Sequence, residues 1–565
     1  MAMYPSPGLK QFAALPSGKP ARAQKSVNGR LFVISGTFLY EVDKNGASTQ
    51  RGSGLIDDGL PATMAESQIE LCVCSGGLVF ILNLATNTFT ALNQALFQGG
   101  LVSMVEFVSS YFIALLANSQ KFQISGTLNG LSWAALDIAQ VQDFPDNIVT
   151  MIADHNEILF GGVSKSDAWY NSGNPSFPFT ANPSAAIIEQ GSAAQFARDK
   201  LDNSVFWIGA DDRGQGIAWR MNGYTPQRIS NHAVEYQWSR YPKISDAVSY
   251  AYQLNGHGFW QIYFPSATVN SAGEPTLGTT WVYDVATSLW HERQFVDKNT
   301  GQRMAHRSWN HSFSFGKHIV GDWATGNLYE MAIPTMNGTA WAFIDDFGNP
   351  TIRERTSPHI SGEGQWVQHN ALSFDLEFGL GPQPPLTGGG VPTQLALKDA
   401  NGVIWIFSVN DAGLIVDQST IGSTFATLTL NDPGNTTSWT IGVNTGGLLT
   451  ATVAQFSAAN PKSYSFITLG GIASYDLTIT SGGIVQTTKT GDVARDPMIT
   501  VSWSDDGAKT WNVNPRNLGI GQAGKFKTRA VTRMLGRSRD RVYKMTTSDP
   551  VPVRVLDCYL NPIGV

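Results

Sequence analysis

From about Val27 the chain repeats one unit: a turn with Gly or Asn, a short apolar strand, another turn, then a strand with aromatics. The unit reads NGRLFVISGTFLYEV at Asn28–Val42, GGLVFILNLATNTFTAL at Gly76–Leu92 and SSYFIALLANSQKFQIS at Ser109–Ser125. It returns as HNEILFGGVSKSDAWYNSG from His155 and DNSVFWIGADDRGQGIAWRMNG from Asp202. The last two copies are GHGFWQIYFP from Gly256 with TTWVYDVATSLWHER from Thr279, and GKHIVGDWATGNLYEMA from Gly316. Intervals of roughly 40 to 55 residues are those of propeller blades, small sheets that cannot bury both faces alone. Roughly six or seven blades fit before Gln365. Apolar residues alternate or run in fours and fives between glycines, so no long amphipathic helix competes.

A second repeat lies beyond the Pro- and Gly-rich GPQPPLTGGGVP. Trp405, Trp439 and Tyr475 each precede a glycine (Gly413, Gly447, Gly483) by eight residues, with Val409, Val443 and Ile479 halfway between. From Leu395 to Lys489 only eight of 95 residues are charged. Three hairpin-like copies therefore form a small β-domain, inserted between a strand at Leu372–Phe378 and one at Met498–Ser504. The expected fold class is all-β: a β-propeller-like domain over 25–365, a C-terminal β platform module from 366–382 plus 493–565, and an inserted small β-repeat domain over 383–492. Residues 1–24, with Pro5, Pro7, Pro16 and Pro20, read as an extended N-terminal arm that docks on a neighbour.

With 42% hydrophobic and 15% charged residues against the usual quarter, the chain folds around a large core. Its net charge of -6 lacks the positive field of a protein that coats nucleic acid. Leu71–Val105 contains no charge, but Gly76, Gly77, Asn83 and Asn87 break it at turn intervals, so buried strands are expected rather than a membrane span. The N-terminus lacks the continuous apolar core of a signal peptide, and secretion by that route is not expected. Cys72 and Cys74, at i and i+2, face one side of a strand as small core residues. With only Cys558 besides, no disulfide framework or zinc site is expected, and the compartment is a reducing cytosol.

No catalytic, cofactor-binding or metal-binding residue is assigned. Asp211 with Asp212, and Asp345 with Asp346, are adjacent and face opposite ways in a strand, unlike the converging carboxylates of a glycosidase. His306 and His311 lack a third ligand at fixed spacing. SDDGAKTW at Ser504–Trp511 is close to the Asp-box S-x-D-x-G-x-T-W of sialidase-like propellers, with Ala508 in place of Gly, and reads as a structural turn on Asp506 and Gly507. No P-loop, GxSxG elbow or HExxH helix occurs. Positive charge concentrates at Lys525–Lys544, with eight Lys or Arg and only Asp540 as an acid. Alternation there places Lys525, Lys527 and Arg529 on one strand face, suited to phosphates or a partner's carboxylates, or simply solvated.

Taken in order along the chain, NGLSW (Asn129–Trp133), FPF (Phe177–Phe179), IIEQGSA (Ile187–Ala193), PQRISNHAVE (Pro226–Glu235), TWVYD (Thr280–Asp284), LWHER (Leu289–Arg293) and VGD (Val320–Asp322) form a series. After the insertion come VSWSDDGAKTW (Val501–Trp511), LGRSRDRVYKMTTSDPVPV (Leu535–Val553) and a closing strand around Tyr559. This series resembles the packaged-DNA stabilisation, or tail-nozzle, proteins of short-tailed bacteriophages. The three-repeat insertion departs from that pattern. The resemblance implies a non-enzymatic virion tail component, made in the host cytoplasm, without a cofactor, that joins below the portal and a head-to-tail adaptor protein as a homohexameric ring. Tail fibres or spikes, packaged DNA in the channel, and a host surface met through the inserted domain are its implied partners. It would retain the pressurised genome and let it pass at infection. Basic residues at Arg537, Arg539 and Arg541 are then expected to face the adaptor or a neighbour. A carbohydrate-binding or depolymerising tail protein is the alternative, from the propeller class, the Asp-box-like turn, and Trp405 and Trp439 as sugar platforms.

Overall fold

In the computed structural model the described residues are 6–142, 146–185, 188–210, 216–337, 340–378, 497–520, 528–549, 551 and 553–564, with the backbone of nine short strands between 395 and 492. Two compact units divide the chain, one over Ser6–Thr335 with Ala342–Arg353, the other containing Glu354–Val565.

Seven antiparallel sheets of four or five strands build the first unit among the described residues. Their first strands are Ala21–Val27, Thr63–Glu66, Val102–Val108, Ile148–Asp154, Arg198–Leu201, Val248–Leu254 and Ser308–Ser314. Each packs beside the next, and the last packs beside the first, so the blades close into a seven-bladed ring. Every repeat read from the sequence supplies at least one hairpin of a different blade.

The second strand of each blade is covered on both faces, which is why it reads as an apolar run rather than an alternation. Leu31–Ile34, Leu71–Val73 and Phe112–Leu115 are fully buried. Cys72 and Cys74 lie in one cluster with Ala65, Val105 and Trp133, packed between the second and third blades. Burial pushes both thiols up, the Cys74 thiol to about 12. The charge-free stretch supplies the strands Glu70–Ser75, Leu78–Asn83 and Phe89–Ala91. Among the described residues no helix is long and apolar enough to cross a membrane.

Two expected boundaries move. Gly8–Ala14, expected in an extended arm that docks on a neighbour, is the fourth strand of the seventh blade, antiparallel to Asn327–Ala332. That blade has only three strands of its own, and an unpaired edge would leave its backbone groups without partners. Leu9, Ala13 and Leu15 are buried there, and Gly8 has no room for a side chain, since a Cβ would sit 2.4 Å from the Phe343 carbonyl oxygen. At the other end the propeller unit stops at Arg353 rather than Gln365. Arg353–Thr356 and Ile360–Ser361 pair instead with Asp540–Thr547.

In the second unit Asp540–Thr547, Met498–Ser504 and Arg516–Gly519 continue that sheet, while Val367–Phe378 pairs with Thr528–Arg533, Arg537–Ser538 and Val553–Gly564 in another. Leu372, Phe374 and Leu376 of one sheet meet Ile499, Val501 and Met545 of the other in a single core. The inserted repeats are three three-stranded sheets, each one strand larger than a hairpin, with Trp405, Trp439 and Tyr475 on the central strands.

Tight turns between first and second strands carry positive φ. Asn28–Gly29 and Asn255–Gly256 suit this, but Ser109 and Ser110 take φ 48° and 75° without being Gly or Asn. Left-handed backbone costs an ordinary residue about 1–2 kcal/mol. The double change Ser109→Asn, Ser110→Gly is expected to stabilise the propeller by about 1–2 kcal/mol, read as a higher midpoint in thermal unfolding.

Candidate functional site

Each sequence candidate for chemistry resolves into a structural role or lies outside the described residues. Asp211 and Asp212 are outside. Asp346 is 3% exposed, while Asp345 accepts from the Gly348 N–H at 2.9 Å on the more open side of the same turn. The two carboxylates do not converge. His306 is buried, with its Nδ1 2.6 Å from Ser308 Oγ and its Nε2 accepting from Arg293 at 3.0 Å. Burial and the neighbouring guanidinium hold its pKa well below the usual imidazole range. His311 pairs with His318 at 3.0 Å rather than with His306, and burial lowers its pKa to about 3. Among the described residues no three His, Cys, Asp or Glu side chains gather as a metal would need.

Arg293, in LWHER, organises this buried cluster. Its guanidinium donates to the Pro7 carbonyl at 2.9 Å and to Gln261 Oε1 at 3.2 Å, which fastens the closing N-terminal strand.

SDDGAKTW folds as the Asp-box reading expects. Asp506 accepts from Ser504 Oγ at 2.6 Å, from the Thr510 N–H at 2.9 Å and from Thr510 Oγ1 at 2.6 Å. These bonds hold its carboxyl well below the usual range. Ala508 takes φ 67°, the conformation for which the pattern keeps Gly. Every polar group of Asp506 faces its own turn, so it stitches a hairpin rather than meeting a substrate.

An open depression of about 360 Å³ on the propeller is lined by Asp154, His155, Lys200, Asp202, Asn203 and Tyr252, among others. Its polar groups satisfy one another: His155 Nε2 meets Asn203 Oδ1 at 2.9 Å and Arg220 holds Asp202 at 2.7 Å. Near Lys200, Glu106 is pushed up to about 7 by desolvation and by Glu66, against the opposing pull of Lys25 and Lys200.

A carboxyl whose folded pKa is raised stabilises the fold below its unfolded value near 4.5, and that contribution is lost as pH rises through the folded value. Asp346, at about 7, and Asp199, at about 6, act in the same direction. His306 and His311, whose values burial lowers, act in the opposite direction up to about pH 6.5, so the expected fall between pH 4.5 and 7 is that of the parent's stability relative to the Glu106→Gln variant, in which this one carboxyl is absent. Unfolding midpoints at half-unit pH steps measure it.

The basic segment splits into three fates. Lys525 and Lys527 lie outside the described residues. Arg529 pairs with Asp375 at 2.8 Å, and Arg541, 3% exposed, grips Asp505 through two nitrogens at 2.6 and 2.8 Å. The expectation that Arg541 faces a partner is therefore corrected: its guanidinium is consumed inside its own chain. Arg537 and Arg539 are exposed, with guanidinium carbons 5.4 and 5.2 Å from the centre of the Trp366 ring, itself 46% exposed. Nothing in the sequence pointed to Trp366; its contacts with residues 171 and 173 positions later arise only from pairing of Val367 with Ser538.

A protein-family profile described as "Bacteriophage P22 Gp10, beta-propeller" matches residues 1–335, and one described as "Bacteriophage P22 Gp10, beta-sandwich" matches 474–561. The chain belongs to the P22 Gp10 family. It is accordingly a structural protein of the phage tail, with a β-propeller and a β-sandwich. No curated protein matches by sequence. Solved structures it is similar to include the extracellular domain of the one-component system BT4673 of B. thetaiotaomicron, at 9% identity and TM-score 0.38, covering 84% of this chain and 58% of that one. Streptogramin B lyase (8%, TM-score 0.39, 58% and 98% covered) and the N-terminal domain of Nup159 (10%, TM-score 0.37, 59% and 95% covered) are others. The Gp10-family chain thus spans a little over half the length of the BT4673 domain, and these distant likenesses carry no argument about its activity.

The motifs that carry the Gp10-family resemblance are architectural. In NGLSW, Trp133 donates to the Gly130 carbonyl at 2.7 Å and the Gly130 N–H donates to buried Glu70 at 2.6 Å. In PQRISNHAVE, Asn231 caps the helix His232–Trp238, and buried Glu235 accepts from Arg228 at 2.7 Å and Ser230 at 2.6 Å. A further motif escaped the sequence reading. Asn83-Leu-Ala-Thr86, Asp284-Val-Ala-Thr287 and Asp322-Trp-Ala-Thr325 each close a hairpin with the first side chain accepting from the backbone or hydroxyl that follows. The repeated [DN]-x-A-T could have marked three blades directly.

Proposed function

We propose that this chain forms the tail nozzle: a homohexameric ring below the portal and adaptor that continues the DNA channel, retains the packaged genome and releases it at infection. The observation that carries the proposal is the Gp10-family match over both units, on motifs that serve architecture. A nozzle needs rigidity more than chemistry. The blades supply it, with buried hydrogen bonds between neighbours such as Arg198 to Ser166 Oγ, Tyr250 to Ser308 Oγ and Gln24 to the Ile319 carbonyl.

The propeller axis is not the conduit in this reading. Its seven first strands pack side by side, Lys25 pairs with Glu66 at 2.7 Å, and Gln195 reaches from the fifth blade to the Ser103 carbonyl of the third at 3.1 Å. DNA would run instead through a lumen enclosed by several copies. Residues 1–353 hold 22 Lys and Arg against 28 Asp and Glu, and a wall of like charge keeps a polyanion sliding.

Particles assembled without this chain are expected to package DNA and then lose it on purification or mild warming, read as nuclease-sensitive DNA outside the heads. Full retention would overturn the proposal. Release of reducing sugar from host polysaccharide by the purified chain would favour the depolymerising alternative. The Trp405 and Trp439 platforms on which that alternative drew have side chains outside the described residues.

A further inference from the structure

The buried Arg22 and Arg541 carry their countercharge with them, Asp58 and Asp505 each at 2.6 Å, and Arg293 lies in the field of buried Asp346. Arg198 differs. It is 7% exposed, on the first strand of the fifth blade, and has no carboxylate partner among the described residues. Burial alone lowers its pKa, to about 9, so no charged neighbour holds the cation. A guanidinium taken out of water is strongly disfavoured unless its N–H groups find acceptors. Those of Arg198 are few: Nη1 reaches the Leu159 carbonyl at 3.4 Å and Nη2 reaches Ser166 Oγ at 3.2 Å, both long for a charged donor, and Nε–H has none. Trp207 covers one face of the guanidinium, its ring centre 5.3 Å away, which leaves the edge, where the N–H groups point, for a ligand.

Hydroxyls converge on that edge. The point where a Cβ of Gly161 would stand is 2.7 Å from Arg198 Nη1, 2.6 Å from Ser192 Oγ and 3.0 Å from the Thr150 methyl. Ser192 Oγ and Thr150 Oγ1 are buried without a hydrogen-bond partner, like Arg198 Nε. Gly161 does not take positive φ, so its missing side chain answers to space: a methyl there would strike the hydroxyl and the guanidinium. A cation and two unused hydroxyls around one glycine, with no acid among them, have the chemistry of an anion site. We propose that the Arg198 edge, with the Ser192 and Thr150 hydroxyls, binds a small monovalent anion of the chloride class at the junction of the fourth and fifth blades. Thr150 and Ser166 belong to the fourth blade, Ser192 to the connection and Arg198 to the fifth, so the ion acts as a strut between blades. Arg198 is the one charge there, and a doubly charged phosphate or sulfate would be left half-neutralised in a buried site. Thr150 and Ser166 at 0% exposure and Ser192 at 2% close the site to a carboxylate of another chain.

The full chain serves for the test. Crystals soaked in bromide should give an anomalous peak between Arg198 Nη1 and Ser192 Oγ; a water at that place with no bromide would overturn the proposal. In solution the midpoint of the propeller's thermal transition should stand about 2 °C or more higher in chloride than in gluconate at equal ionic strength, because an ion that binds only the folded state stabilises it by mass action. Ser192→Ala removes one hydroxyl and little volume and should cut that difference by at least half; Arg198→Met should abolish it. Should Arg198→Met fail to fold, the Ser192→Ala variant and the bromide peak decide. A midpoint indifferent to chloride, even with a bromide peak, would mean binding at crystal concentration only and overturn the proposal, as would a chloride effect left unchanged by Ser192→Ala.

Discussion

Replacing Arg22 by methionine is expected to destabilise the propeller by about 3–5 kcal/mol, the cost of breaking a buried, hydrogen-bonded charge from one side. The side chain is 1% exposed, yet it donates to the carbonyls of Leu60 at 2.7 Å and Ile56 at 2.6 Å, to Ser75 Oγ at 3.0 Å and to Asp58 at 2.6 Å. Leu60, Ile56 and Asp58 belong to the crossover between the first and second blades, and Ser75 ends the second strand of the second blade. Methionine fills the volume but donates nothing, so the Leu60 carbonyl loses the guanidinium, and the Ile56 carbonyl and the Asp58 carboxylate are left with Ser75 Oγ and the Leu60 N–H alone. Chemical denaturation of the full chain should show the loss in the propeller transition, with the sandwich transition unmoved. A change below about 1 kcal/mol would mean that water replaces the guanidinium without penalty.

The second large effect separates three arginines that lie within five residues of one another. Arg541→Glu is expected to unfold the sandwich, because it places a carboxylate in a buried site beside Asp505 and leaves the Leu535 carbonyl without its donor. A loss of about 3–5 kcal/mol is the scale for such a buried break. Arg541→Met should cost less than the reversal, since it removes one charge without adding a like one. Reversals at Arg537 or Arg539 lie in solvent and should leave the sandwich melt within about 0.5 kcal/mol of the parent. Assembly defects at those two positions would then report on contact, and a defect at Arg541 on folding. Equal melts for all three variants would show that Arg541 is not the internal clamp.

Much of the fold was legible because blade strands announce themselves. LFVI at Leu31–Ile34 and LCVC at Leu71–Cys74 are apolar without alternation because both faces are covered, and Gly or Asn sits where a two-residue turn demands positive φ. The closing strand was not legible. Gly8–Ala14 finds its partner, Asn327–Ala332, more than 300 residues away, and its four prolines' neighbourhood looks like a linker until the seventh blade is seen to lack a strand. The split among the basic residues was hidden for a similar reason. Sequence places Arg537, Arg539 and Arg541 on alternate positions as equals. Which one is buried depends on Asp505, supplied by the turn after Met498–Ser504, and on Trp366, the residue just before the strand Val367–Phe378. His306 and His311 likewise looked like a pair by spacing, and the register of Ser308–Ser314 against Lys317–Asp322 gave His311 a different partner.

The position of this chain in the particle tests the central claim most directly. Electron microscopy of purified virions labelled with an antibody to the chain should place label at the distal end of the tail axis. Label on peripheral fibres, or virions that carry none, would contradict the nozzle and with it the reading of the propellers as the wall of a DNA channel.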